Sequence, residues 1–79
     1  MQADDLFQNK HYRNLKPQTI ERLQEILSPE EFQGFCRGNI HKYNERFDKK
    51  ERRIAASRKI LDYAIWLHES LTGKKVSVY

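Results

Sequence analysis

Ser28-Pro29-Glu30-Glu31 is the feature that most restricts what this chain can fold into. The serine is placed to cap a helix, and proline suits the first helical position because its missing N–H would be unpaired there anyway. Glu31 stands three residues after the cap. Together they form a capping box, in which the serine oxygen and the glutamate carboxylate each satisfy an orphaned backbone N–H. Two carboxylates in the first turn also favour the positive end of the helix dipole. The pattern predicts a helix over 29–47, with Phe32, Phe35, Cys36, Tyr43 and Phe47 on one stripe. Asn39 lies in the middle of that stripe and Ile40 at its edge. The stripe reads as core.

Gly34 and Gly38 interrupt the same helix. Each costs about 1 kcal/mol in a helix interior. At four-residue spacing they make one small strip, on which a second helix or a ligand can approach the backbone. Close helix packing is the expectation they raise.

The flanking segments follow the same period. Pro17 opens a helix over 17–27 in which Ile20, Leu23, Ile26 and Leu27 recur on one side. Asp48-Lys49-Lys50 reads as a short turn, and a last helix is expected over 51–71. There Ile54, Leu61 and Ile65 form one apolar line. Ala56, Ile60, Tyr63, Ala64, Leu67 and Leu71 form a second and wider one, and Trp66 lies apart from both. A helix apolar over so much of its circumference is buried on more than one side. One side faces the other helices, and the second is expected to face another copy of the chain. Gly73 ends the helix, with Lys74 and Lys75 favouring the dipole. Residues 1–16 form an N-terminal arm without periodicity, in which Leu6, Phe7, Tyr12 and Leu15 can pack over the core. Residues 74–79 form a tail whose Val76-Ser77-Val78-Tyr79 alternates like a strand with no evident partner. The fold expected is all-α, a small bundle of three helices in one domain over 1–79, completed by oligomerisation.

Composition narrows the means of stabilisation. A 79-residue chain buries a limited share of its surface. The lone Cys36 excludes an internal disulfide, and His11, His41 and His68 are scattered without cysteine partners, which argues against a zinc site. Packing and self-association remain. No apolar run approaches the ~18 residues of a membrane span, and the opening residues lack the order of a signal peptide. A cytoplasmic protein is expected.

The chemistry of enzymes is sparse. There is no Walker-type phosphate loop, because Thr72-Gly73-Lys74-Lys75 follows a helix end instead of joining a strand to a helix. No Gly-x-Ser-x-Gly elbow occurs. Cys36 and His41 lie well around the helix from each other, so they do not read as a thiolate–imidazole pair. No residue is assigned a catalytic role, and no metal or cofactor is evident. The net charge of +4 suits an acidic protein surface, a nucleotide or nucleic acid. Arg37, Asn39, His41, Lys42, Arg46, Lys49 and Lys50 are the candidate ligand- or partner-binding residues. Arginine grips a phosphate bidentately and lysine acts as a point charge. A solvated face is the competing reading, since Glu45, Asp48 and Glu51 are interspersed. Asn39 stands out as an amide on the apolar stripe that must find hydrogen-bond partners, from a neighbouring helix or a ligand.

These residues also resemble a known family. Gly34-Phe35-Cys36-Arg37-Gly38-Asn39-Ile40-His41-Lys42-Tyr43, followed by Arg46 and Lys49-Lys50, looks like the signature of the bacteriophage SaV-like family of small proteins. His11-Tyr12 resembles its opening pair, and the segment Arg58 to Leu67 is loosely similar to its closing helix. The chain departs from the family pattern at Asn44-Glu45 and at Glu51-Arg52-Arg53. The resemblance implies a phage origin and the cytoplasm of an infected bacterial host. It brings two precedents, a phage nucleotide kinase that lacks a Walker loop and a phage protein that engages a host abortive-infection system. The first expectation is therefore a small accessory protein that acts by binding, as an oligomer engaging a host or anti-phage defence protein. The alternative is a nucleotide-binding protein or deoxynucleoside monophosphate kinase with its site between subunits. DNA binding through the basic segment Lys42 to Lys59 ranks below both.

Overall fold

A computed structural model describes residues 17–78 of the chain, with side chains from Thr19 onward. The arm expected over 1–16 lies outside the described residues. Three α-helices follow in order, and no strand occurs among the described residues: α1 (Pro17–Ile26), α2 (Pro29–Glu45) and α3 (Arg53–Leu71). Two short 3₁₀ turns, Arg46–Asp48 and Lys50–Arg52, join α2 to α3. The helices form the small all-α bundle that the periodicity predicts, with α2 and α3 packed along each other as its frame.

The capping box is present as read. The Glu31 N–H donates to Ser28 Oγ at 3.1 Å, and the Ser28 N–H donates to the Glu31 carboxylate at 2.9 Å. The helix that it starts is shorter than expected. It stops at Glu45, where the backbone tightens into the Arg46–Asp48 turn. Lys49 is then extended (φ −99°, ψ 109°), and this one residue separates the two turns. The tightening corrects one core assignment. Phe47 leaves the α-helical phase, in which it would follow Tyr43 down the stripe, and is 37% exposed.

Ile20, Phe32, Cys36, Tyr63 and Val76 form the buried core, and Leu23, Leu27, Phe35, Ile40, Tyr43, Trp66 and Leu67 pack around it. Complete burial of Phe32 or Ile20 stabilises the fold by about 1.5–3 kcal/mol each. Tyr63 is the aromatic centre. It stacks on Tyr43 at 6.2 Å between centroids and meets Phe35 and Trp66 edge-on at 5.7 Å and 5.2 Å. Trp66 is thus part of the packed aromatic group, not apart from it as its position on the helical wheel suggests.

Val76 enters the core from the tail, and the way it does so is not visible in the local sequence. Gly73 (φ +77°) ends α3 in the left-handed region, which favours glycine. Its N–H donates to Ser70 O at 3.1 Å, and the Lys74 N–H donates to Glu69 O at 2.8 Å. The chain reverses and runs back over α1. Gln24 then holds the tail through its side-chain amide, donating to Lys74 O at 2.9 Å and accepting from the Val76 N–H at 2.9 Å. The Trp66 indole N–H donates to Ser77 O at 2.7 Å. Glu69 accepts from the Ser77 N–H at 2.8 Å and from the Ser77 hydroxyl. The tail therefore has partners, but they are side chains and not a strand.

Candidate functional site

The seven candidate residues do not converge. Successive helical residues are turned by roughly 100°, so Arg37 and His41 share a face with Gly34 and Gly38. That face points away from the core. Both glycines are exposed, and a Cβ built on either would meet no heavy atom within 4 Å. The close helix packing expected of them is absent among the described residues.

Asn39 lies on the other side of α2 and is half-buried. Its amide nitrogen donates to Phe35 O, one turn back, at 2.9 Å. This bond stays within its own helix and does not tie α2 to a neighbour.

Lys42 and Arg46 form the one organised cationic pair in the set. The Lys42 ammonium lies 4.8 Å from the centroid of the Tyr43 ring, and the Arg46 guanidinium carbon lies 5.3 Å from it. Each contact is electrostatically favourable, because the ring face is negative, and contributes about 0.5–1 kcal/mol at an exposed site. Tyr43 in turn rests on Tyr63. Two cations are thereby held on an aromatic support that is anchored in the core, an arrangement suited to attracting an anion. Lys49 and Lys50 are exposed in the connecting turns. Arg53 reaches back so that its Nε–H donates to Phe47 O at 2.9 Å, which ties the two ends of that corner together.

Cys36 is not poised as a nucleophile. Cys36 is fully buried, and burial pushes its thiol from the ordinary 9.0 to about 11. It is therefore a neutral core side chain near pH 7. Burial pushes the Tyr63 phenol up to about 12, with further contributions from Tyr43, Cys36 and Asp62. Among the described residues, no group of three or more His, Cys, Asp or Glu is placed to hold a metal ion. No described helix is long and apolar enough to cross a membrane. An open groove of about 420 Å³ lies between α1, the start of α2 and the tail, lined by Gln24, Leu27, Phe32, Gly73 and Lys74 among others. None of the seven candidate residues lines it.

The outer face of α3 is the second candidate surface. Ile54 is 86% exposed and Leu61 51%, while Ile65 beside them is half-buried; Leu71, 63% exposed, belongs to the wider line and lies at the helix end. Ala56 and Tyr63, on the opposite side of the same helix, are buried. Of the two apolar lines expected of this helix, the narrower one is turned mainly to solvent, and the wider one is buried at Ala56 and Tyr63 but exposed at Ala64 and Leu71. Of the polar groups that sequence reasoning missed, Gln24, Glu69 and Trp66 matter most, and all three hold the tail. No local signal distinguishes them, because a lone glutamine on an amphipathic helix reads as surface.

A family model described as a protein of unknown function (DUF3310) matches residues 7–65. No curated protein and no solved structure matches the chain.

Proposed function

This chain belongs to the DUF3310 family, and from its own residues we propose that it acts by binding other proteins and not by catalysis. In this reading it is a small accessory protein that self-associates through the outer face of α3 and engages a host or anti-phage defence protein. A phage origin and the cytoplasm of an infected bacterium are carried into the proposal by the SaV-like resemblance alone.

The observation that supports the reading is the exposure of Ile54 and Leu61, beside the half-buried Ile65, on a helix whose opposite side is already buried at Ala56 and Tyr63. Each large apolar side chain removed from water adds about 1.5–3 kcal/mol when fully covered. A chain this short buries a limited share of its surface and gains substantially from covering Ile54, Leu61 and the rest of Ile65. The test is molar mass by light scattering from low micromolar to submillimolar concentration. The expected mass exceeds the 9.5 kDa of one chain, and Leu61→Asp returns it to that value without loss of helical signal. A monomer over the whole range overturns self-association.

A nucleotide-binding reading has one observation in its favour, the Lys42–Tyr43–Arg46 arrangement. Phosphoryl transfer depends on positioning and charge stabilisation, which such residues supply. Ligand that binds only the folded state raises the thermal midpoint by mass action. If millimolar dNMP and dNTP leave the midpoint in place, this second reading is lost.

A further inference from the structure

The spacing of the exposed stripe on α3 points to the partner that fits it. We infer that the outer face of α3 pairs with the same face of a second copy, antiparallel, about a two-fold axis passing between Lys59 and Ile60. The inference rests on the self-association proposed above and gives that pairing its orientation and its axis.

Ile54 and Ile65 lie at the two ends of the stripe, with Leu61 between them. A two-fold axis midway between Ile54 and Ile65 carries each of them to the level of the other in the second copy. It brings the two Leu61 side chains within about 4.5 Å of each other along the helix axes, at 1.5 Å rise per residue. The stripe is its own complement, as a two-fold interface requires.

Charge selects the antiparallel direction. Arg58 and Asp62 lie on one flank of the stripe, paired within the helix at 3.2 Å. In an antiparallel helix pair, equivalent flanks of the two copies meet. The axis sets Arg58 of one copy about 1.5 Å along the helix from the level of Asp62 of the other, and the same holds in reverse. Each of the four charges then stands across from one of opposite sign on the other copy. A parallel pair sets this flank against the opposite one and leaves the charges of the two copies unmatched. Complementary charge of this kind fixes orientation more than it adds affinity.

The other flank allows close approach. It carries Ser57 and Ala64, both small and both exposed. The Ser57 hydroxyl already donates to Ile54 O at 2.8 Å, so covering it leaves no unpaired hydroxyl hydrogen.

Single added cysteines in the full chain test the geometry. The native Cys36 is fully buried and its thiol is protonated near neutral pH, so it stays silent. Under mild oxidation or with a short bis-maleimide, Leu61→Cys alone is expected to form a covalent dimer. Ile54→Cys alone is not, because its two copies lie roughly 16 Å apart along the axis. A mixture of Ile54→Cys and Ile65→Cys chains is expected to cross-link. Efficient linkage of Ile54→Cys to itself overturns the antiparallel pairing while leaving self-association standing. A wild-type chain of monomeric mass removes the second copy as partner, and leaves binding of a different protein to be judged by its own capture assay. Isotope-filtered NMR on mixed labelled and unlabelled wild type reads the same geometry without substitution. Contacts between the Leu61 methyls of the two copies support the pairing, and their absence in a proven dimer overturns it.

Discussion

Cys36 and Tyr63 are two titratable groups placed where their charged forms are poorly solvated. Each folded value lies above the ordinary one, about 11 against 9.0 for the thiol and about 12 against 10.0 for the phenol. Both groups are neutral in the folded protein until strongly alkaline pH, whereas the unfolded chain ionises earlier. Their contribution is therefore fully present below about pH 9 and is lost as pH rises toward 11 and 12. The thermal midpoint is expected to stay level between neutral pH and about 9 as far as these groups are concerned, then to fall. In Cys36→Ala the early part of that fall, between about 9 and 11, is expected to flatten, although the cavity lowers the midpoint at every pH. Melts followed by circular dichroism across this range check it, and an unchanged slope in the variant removes the thiol as a cause. The role of Cys36 was legible, since a small apolar residue on an aromatic stripe has few other uses. Asn39 was less so. Its spacing shows that it needs a partner, but an amide can satisfy itself from its own helix or from a neighbour, and only the folded chain distinguishes the two. Phe47 was misplaced because helical phase holds only while the backbone keeps 3.6 residues per turn.

At the scale of one element, α2 shows how far local rules reach. Its start was legible to the residue, because a capping box is a short-range bonding pattern that the sequence spells out. Its glycines were misread, because a small strip indicates where an approach is possible and not whether one occurs. Nothing among the described residues requires glycine at position 34 or 38. Gly34→Ala and Gly38→Ala are accordingly expected to stabilise the monomer by about 0.8–1 kcal/mol each, from helix propensity alone. Urea unfolding measures this directly. A loss of stability in either variant would mean that something packs against this face in solution. Arg37 and His41 share the exposed face, so the double glycine variant is also a gentle probe of any partner bound there.

At the scale of the whole molecule, closure depends on contacts between distant segments. Gln24 meets Lys74 and Val76 across 50 and 52 residues of chain. No local pattern encodes that meeting, which is why the tail read as unpartnered while the three helices did not. Gln24→Ala removes two hydrogen bonds and leaves the Val76 N–H, half-buried in that bond, without its acceptor. A loss of about 1–3 kcal/mol is expected. Hydrogen exchange at the Val76 amide should accelerate more than exchange in the middle of α2, and uniform acceleration would deny the tail any separate docking. The tail also supplies an optical handle. Trp66 is the only tryptophan in the chain, and its indole is bonded to the tail carbonyl of Ser77 while its ring meets Tyr63 at right angles. Its emission colour and lifetime therefore report whether the tail is seated, so intrinsic fluorescence can follow this one closure in real time, apart from the rest of the fold.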